Sequence, residues 1–126
     1  MPRQALQPEG MARPKPPYSP VAVSGDMVYT AGQVAFDAEG NLVEGGIAEQ
    51  TRQVLGNVRT CLEAAGCTLN DVVKVTAFLV DLGEVTAYND VYREFFEEPY
   101  PARSTVQAGL APGVLVEIEA VARRPS

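Results

Sequence analysis

The chain has 126 residues and a formal net charge of −6 at pH 7, and 46% of its residues are hydrophobic. That length fits one domain with a single core, and the acidic balance argues against an electrostatic grip on nucleic acid. The sequence has no histidine and only two cysteines, which removes the usual histidine-based catalytic arrangements and argues against a zinc site. Any catalysis is therefore expected to use carboxylates, arginine, lysine, tyrosine, backbone groups and water, without a metal or cofactor.

Sequence features also indicate the compartment. No stretch approaches the roughly 20 apolar residues that a membrane span needs. The first ten residues, MPRQALQPEG, are polar and lack the charged, apolar and small-residue order of a secretory signal. Cys61 and Cys67 are too few for a disulfide framework and fit a reducing environment, so the prediction is a cytoplasmic protein without membrane contact.

The chain opens with a proline-rich stretch. Five prolines within residues 1–17 predict an extended N-terminal segment, and residues 18–126 are predicted to form a single domain. Two short strands are predicted at 21–23 and 27–33, separated by a Ser-Gly-Asp turn.

Helical periodicity appears twice. Over residues 47–65 apolar side chains recur at three- and four-residue spacing and stop before Gly66, a residue type common at helix ends. Cys61 lies on this stripe, where a small core residue is the favoured interpretation over a reactive thiol. Residues 84–96 have a second apolar side, and the prolines that follow end this predicted helix.

Three further strands complete the predicted elements. Residues 71–81 are continuous and β-branched, which is typical of a strand covered on both sides, and two more strands are predicted at 103–108 and 114–123. The order of strands and helices predicts an α+β fold with both helices on one face of a mixed sheet. The other face would lack a cover in a single short chain, so we expect oligomerisation.

The last predicted strand carries two carboxylates on one face. Alternation places Glu117 and Glu119 there, about 7 Å apart, with Leu115 and Val121 on the same side. A solvated face is one interpretation. If a neighbouring molecule buries this face, the two glutamates need partners or a function.

Arg103 opens the preceding strand, and alternation places it on one face with Thr105 and Gln107. If the last two strands pair antiparallel, that face can also carry the glutamates. The two interpretations of Arg103 are a salt bridge to one of these acids and a planar fork for a substrate carboxylate. Asn89 lies at the edge of the apolar side of its helix, where a satisfied buried amide is the default interpretation.

Seven short segments of the chain occur in a recognisable order. They are PYSP at 17–20, AGQV at 31–34, EQTRQVL at 49–55, VVKVT at 72–76, YNDVY at 88–92, PARST at 101–105 and VEIEA at 116–120. Each segment alone is weakly specific, whereas the ordered set is highly specific. From about Gln7 to Arg123 the chain resembles the Rid (RidA-like) family of reactive-intermediate deaminases.

The resemblance implies a fold, an assembly and a reaction. The fold is chorismate-mutase-like α+β, and the assembly is a homotrimer in which three sheets form a central barrel and the active sites lie between subunits. The reaction is hydrolysis of 2-aminoacrylate, 2-iminobutanoate and similar 2-imino acids to 2-keto acids and ammonia, without a cofactor. The expected partner is therefore a small imine or enamine that carries a carboxylate.

The resemblance also implies roles for individual residues. Arg103 matches the arginine that binds the substrate carboxylate bidentately, and Glu117 matches the glutamate that orients or activates the attacking water and helps proton transfer. Thr105 matches the position whose backbone carbonyl helps to hold that water. Further pocket positions match Tyr18, Gly32 and Asn89.

Two positions depart from the family pattern. Ala31 stands where a pocket serine is common, which is compatible with a reshaped pocket, and Thr105 stands where many members have a cysteine.

The alternative functions are a deaminase for one pathway-specific enamine and a non-catalytic trimer that binds a small ligand. Endoribonuclease activity has also been described in the family, but the acidic charge and the lack of a basic run argue against it here. The presence of both Arg103 and Glu117 favours catalysis.

Overall fold

The computed structural model describes residues 2–126, and Met1 lies outside the described residues. These residues form a six-stranded sheet and two α-helices, as the predicted α+β class requires. No helix within them is long and apolar enough to cross a lipid bilayer. In chain order the elements are β1 (Gln4–Leu6), β2 (Val21–Ser24), β3 (Met27–Thr30), α1 (Ile47–Ala64), β4 (Val72–Leu79), α2 (Val85–Phe95), β5 (Ala102–Gln107) and β6 (Val116–Arg123), with short 3₁₀ turns at Leu69–Asp71 and Leu82–Glu84.

Helix α1 begins and ends close to the residues that the sequence predicts. The Oε1 atom of Glu49 accepts a hydrogen bond from the backbone N–H of Gly46 at 2.8 Å, which satisfies one of the free donors at the helix start. The apolar stripe, including the fully buried Val54 and Val58, packs on the sheet. Gly66 follows the helix with φ of +81°, a left-handed conformation that glycine adopts without steric strain.

The strand order of the sheet is β1-β2-β3-β6-β4-β5. Strand β4 therefore lies between the last two strands of the chain, antiparallel to β6 and parallel to β5. The antiparallel pairing of the last two strands, which the sequence analysis considered, is wrong. Helix α2 connects β4 to β5, and such a helical crossover is how a chain returns to run parallel to the strand it left.

The N-terminal segment contains a strand where the sequence analysis expected extended chain. Strand β1 pairs antiparallel with β2, and Ala5 lies opposite Ala22. The segment thus begins as the edge strand of the sheet, and its proline-rich part continues as a loop towards Tyr18.

The two faces of the sheet differ in burial. On one, which we call the covered face, Val75, Ala77 and Ile118 are fully buried beneath the helices. On the other, which we call the open face, Glu117 and Glu119 are partly exposed, as the alternation of the last strand predicts. Residues 2–126 provide no layer of structure over the open face.

A buried amide fixes helix α1 to the chain that leads into β6. Gln50 is 2% exposed. Its Nε2 donates a hydrogen bond to the carbonyl of Gly113 at 2.8 Å, and its Oε1 accepts one from the N–H of Leu115 at 2.9 Å. These two bonds hold the loop before β6 and thereby position the strand that carries Glu117.

Replacing Gln50 with alanine is expected to lower the free energy of unfolding by about 2–4 kcal/mol, because two buried backbone groups lose their partner. Urea unfolding at one fixed protein concentration measures the change, since assembly would make stability depend on concentration. The matched control from the same helix is Arg52→Ala. Arg52 pairs with Glu94 at the surface, and its removal should change stability little. An equal loss in both variants would contradict the role assigned to Gln50.

Candidate functional site

Arg103 lies in an aromatic environment on the covered face. It stands opposite the buried Val75 of β4, so its side chain projects towards the helices. The Cζ atom of Arg103 lies 4.8 Å from the ring centroid of Tyr92 and 5.3 Å from that of Tyr88. Both tyrosines belong to α2, where their four-residue spacing puts them on one side of the helix. The guanidinium therefore lies against two aromatic rings at cation–π distance.

Arg103 has no carboxylate partner among the described residues. Within residues 2–126 its guanidinium forms neither an ion pair nor a hydrogen bond. The salt bridge to Glu117 or Glu119 is not formed, because these acids lie on the open face of the sheet. The planar set of guanidinium donors is thus free for a planar anion such as a carboxylate.

A pocket of about 230 Å³ opens beside this arginine and is lined by Asn89, Tyr92, Arg93, Tyr100, Pro101 and Arg103. Helix α2 and strand β5 also hold buried polar atoms without a hydrogen-bond partner in residues 2–126. These atoms are Tyr88 OH, Asn89 Oδ1, Tyr92 OH and Thr105 Oγ1. Buried polar atoms in native proteins are nearly always paired, so this region is suited to a polar ligand. The default interpretation of Asn89 as a satisfied amide is wrong for its Oδ1 atom.

Glu117 lies on the open face beside Gly32. The N–H of Gln33 donates to the carbonyl of Ile118 at 2.8 Å, and the N–H of Ile118 donates to the carbonyl of Gln33 at 3.0 Å. Residues 31–33 therefore run alongside β6. A Cβ atom on Gly32 would lie 2.8 Å from Cδ of Glu117 and would overlap its Oε2. Glycine at this position gives the carboxylate of Glu117 its space.

The environment of Glu117 disfavours its charged form. Partial burial raises the pKa of its carboxyl above the ordinary value, and the negative charge of Glu119 raises it further. Lys74, on the open face of β4, donates from Nζ to Ser104 Oγ at 2.9 Å and forms no ion pair with either glutamate in the described residues. A carboxyl that keeps its proton to a higher pH is suited to proton transfer.

Tyr18 lies at a second cavity. This cavity has a volume of about 740 Å³ and is enclosed by the N-terminal segment, the loop after Gly32 and helix α1. Both Tyr18 and Gly32 line it, and Tyr18 is 54% exposed. The phenol ring is therefore available to a ligand that enters beside Gly32.

Within one chain the six predicted site residues lie in two separate groups. The first consists of Arg103, Asn89 and Thr105, and the second consists of Glu117, Gly32 and Tyr18. The suggestion that Arg103 shares a face with the glutamates is wrong, because β4 separates β5 from β6 and the arginine projects to the opposite side. Within the described residues there is no cluster of three or more histidine, cysteine or acidic side chains that could hold a metal ion.

The structure adds two residues to the site. The sequence analysis counted Tyr88 and Tyr92 as members of the apolar side of their helix and gave them no role. A signal was present, because the two tyrosines are four residues apart and enclose Asn89 in the sequence. The parallel pairing of β4 with β5, which places this helix next to Arg103, was not predicted.

The sequence of the chain is similar to a known family model and to several known proteins. A family model described as endoribonuclease L-PSP matches residues 10–124. A RutC family protein of Pyrococcus horikoshii is 43% identical over 122 residues, which cover 95% of this chain and 97% of that protein. A 2-iminobutanoate/2-iminopropanoate deaminase of Homo sapiens is 41% identical over 108 residues, which cover 84% of this chain and 79% of that protein.

Solved structures resemble the chain over nearly its whole length. RidA from the Antarctic bacterium Psychrobacter sp. matches with a TM-score of 0.89 and 39% identity, covering 95% of this chain and 98% of that one. E. coli TdcF with bound serine matches with a TM-score of 0.88 and 33% identity, covering 97% and 99%. The mixed sheet with two helices, expected from the resemblance, is confirmed.

Replacing Glu119 with glutamine is expected to lower the pKa of Glu117, because it removes a negative charge from the same strand face at nearly constant size. A raised pKa means that Glu117 still holds its proton where a free glutamate is ionised, so the variant should lose this proton at lower pH. Side-chain carboxyl ¹³C NMR titration measures the pKa. Glu63→Gln on the exposed side of α1 is the control and should leave it unchanged. An unaltered pKa in Glu119→Gln would mean that burial alone acts on Glu117.

Proposed function

Because the chain belongs to the endoribonuclease L-PSP family, which contains RidA, we propose that it hydrolyses reactive 2-imino acids to 2-keto acids and ammonia. The substrates are of the 2-aminoacrylate and 2-iminobutanoate type. The observation that carries the proposal is the Arg103 guanidinium, which lies in a pocket that residues 2–126 line without a carboxylate. The relatives named as deaminases support the same chemistry.

Arg103 is proposed to bind the substrate carboxylate. A bidentate pair between guanidinium and carboxylate fixes the plane of the ligand as well as its position. Asn89 and Tyr18 are proposed to line the pocket around the rest of the substrate. The backbone carbonyl of Thr105 is proposed to help hold the attacking water, a role that does not need the cysteine found in many relatives.

Glu117 is proposed to move the proton. Water adds to C2 of the imine while the Glu117 carboxylate accepts a proton from it, and the resulting carboxylic acid donates this proton to the nitrogen. Glu117 then moves the remaining hydroxyl proton to the amino nitrogen as the C–N bond breaks, so that ammonia leaves and the added oxygen becomes the keto carbonyl. Because an imine carbon is already electrophilic, a positioned water and one proton relay suffice. The raised pKa of Glu117 makes its carboxylate a stronger base for taking the proton from water.

We place the complete site between subunits of a homotrimer. Arg103 and Glu117 lie on opposite faces of one sheet, so the pair must come from two chains if it acts on one small substrate. The open face offers the surface for such an interface, because the exposed ring of Tyr29 gives it apolar area. Glu117 and Glu119 are partly exposed on the same face. The free, buried Cys61 and Cys67 agree with a cytoplasmic location.

A deaminase with one extended substrate is the second candidate. The cavity beside Gly32 and Tyr18, about 740 Å³, has room for a group larger than the side chain of 2-iminobutanoate. Ala31 removes the hydroxyl that relatives commonly have at this position. A panel of imino acids, generated in situ by an amino-acid oxidase, distinguishes the two candidate functions by the release of keto acid and ammonia. A general deaminase accepts small imines, whereas a deaminase with one extended substrate does not.

Arg103→Ala and Glu117→Gln are each expected to lose about 100-fold or more in kcat/KM for 2-iminobutanoate, because one removes the carboxylate partner and the other the proton relay. Subunits of the two variants, mixed in equal amounts and reassembled, should regain activity. Random mixing leaves one intact site in about three quarters of the trimers, so about a quarter of wild-type activity is expected.

Reassembly of differently tagged Arg103→Ala chains alone is the control for the mixing procedure and should stay inactive. Full activity in the unmixed Arg103→Ala variant would refute the site assignment. If both variants are inactive alone and remain inactive when mixed, although mass spectrometry shows mixed trimers, the two residues do not meet across an interface.

Gly32→Ala is expected to lower kcat about 10–100-fold, because its methyl group displaces the Glu117 carboxylate from its place. Binding of 2-oxobutanoate through Arg103 should change much less, and isothermal titration calorimetry measures it. Gly109→Ala is the matched control, since no atom lies within 4 Å of the Cβ that it would add. Equal kcat in the two variants would show that the space beside Gly32 does not govern turnover.

A further inference from the structure

We propose that Tyr88 and Tyr92 are positioning residues, which form an aromatic slot that holds the Arg103 guanidinium in place for a carboxylate ligand. The slot is defined as the two tyrosine rings and the guanidinium packed against them. The inference rests on the proposed function for the identity of the ligand. It assigns a task to two residues that the proposed reaction does not use.

The geometry of the rings supports the slot. Arg103 Cζ lies within 4.8 and 5.3 Å of the two centroids, and the rings are 5.8 Å apart with an interplanar angle of 44°. One guanidinium therefore contacts both rings at once. Each distance is within the range at which a cation is attracted to an aromatic face.

The rings themselves are held rigidly. Tyr88 is fully buried, and Tyr92 is 5% exposed. Tyr92 also stacks on Phe96, with ring centroids 4.6 Å apart and an interplanar angle of 27°. An arginine side chain loses considerable rotamer freedom when a ligand fixes it. Rigid rings that already restrict the guanidinium reduce this loss at the moment of binding.

The slot stabilises the cation without occupying its donors. A protein carboxylate beside Arg103 would take the N–H groups that a ligand needs, and no such carboxylate is present in residues 2–126. Aromatic rings interact with the guanidinium through their π electrons and leave the N–H edge free. Tyr88 and Tyr92 thus offset part of the desolvation of Arg103 while the ligand site stays open.

The rings, rather than the hydroxyl groups, carry this effect. Burial raises the pKa of both Tyr88 and Tyr92, and the charge of Arg103 opposes the shift only in part. Both phenols are therefore neutral at neutral pH and supply no counter-charge. Their hydroxyl groups have no partner in the described residues, so Arg103 donates no hydrogen bond to them.

The test compares Tyr92→Phe, which keeps the ring, with Tyr92→Leu, which keeps an apolar side chain and removes the π face. The probe is 2-oxobutanoate, and its Kd is measured by isothermal titration calorimetry. We expect Tyr92→Phe to bind within about twofold of wild type and Tyr92→Leu to bind about 5–30-fold more weakly. The neutral amide of the same keto acid should bind both variants equally. For 2-iminobutanoate the slot predicts a raised KM with little change in kcat.

A second readout needs no ligand. The order parameter of the Arg103 Nε–H vector, from ¹⁵N relaxation, should fall in Tyr92→Leu and stay at the wild-type value in Tyr92→Phe. Melting temperature and oligomer mass report whether a variant is folded. If Tyr92→Leu does not fold, Tyr92→Met serves in its place, since it is unbranched and adaptable.

The outcomes separate the slot from the proposed function. Equal order parameters and equal Kd values in Tyr92→Phe and Tyr92→Leu overturn the slot. An equally large loss in both assigns the effect to the hydroxyl group and overturns it as well. If wild type binds 2-oxobutanoate but releases no ammonia from any imino acid, the deaminase proposal fails. The comparison of Kd values between Tyr92→Phe and Tyr92→Leu still tests the slot in that case. If wild type binds no carboxylate, the order parameter decides it.

Discussion

The position of β4 between β5 and β6 governs the rest of the site. Because β4 is parallel to β5 and antiparallel to β6, residues that alternate along each strand are sorted onto two faces of one rigid sheet. Arg103 pairs with the buried Val75 and therefore lies on the covered face. Glu117 pairs with Phe78 and lies on the open face. No side-chain rotation can bring the two together, since a hydrogen-bonded strand lies between them. The separation is therefore a property of the backbone.

This separation keeps opposite charges from neutralising each other within a chain. On a shared face, Arg103 would reach Glu117 or Glu119 and the two groups would satisfy one another. Instead the arginine contacts tyrosine rings, and the two glutamates lie next to each other without an ion pair in the described residues. Both arrangements cost stability, because a partly buried charge without a partner is unfavourable. They also leave each group free to act on something outside the chain.

The sequence predicted the local structure well. Both helices, the strands from 21 onwards and the two faces of β6 follow from periodicity, since an amphipathic pattern depends only on neighbours along the chain. The α+β class followed from the order of these elements. The edge strand Gln4–Leu6 was not predicted as a strand, because its pairing with β2 is a tertiary contact.

Strand order was the step that the sequence could not settle. Alternation assigns residues to faces within one strand, but the relation between the faces of two strands depends on which strands pair and in which direction. Arg103 was therefore left between two interpretations. The crossover from β4 through α2 to β5 contained the clue, because a helix between two strands favours parallel pairing. The environment of Arg103 depended on the same step, since only that pairing places α2 over it.

In the proposed function, specificity for an anion would follow from what surrounds Arg103. Its pocket supplies aromatic faces and unpaired hydroxyl and amide atoms, but no negative charge from residues 2–126. A ligand with a carboxylate replaces the water lost by the guanidinium with two charge-assisted hydrogen bonds. A neutral imine of the same shape displaces that water and leaves the buried donors unpaired, which is a large penalty. Under the proposed function, discrimination against substrates without a carboxylate would thus arise from the missing counter-charge itself, and a rearranged Glu117 or Glu119 on the covered face would abolish it.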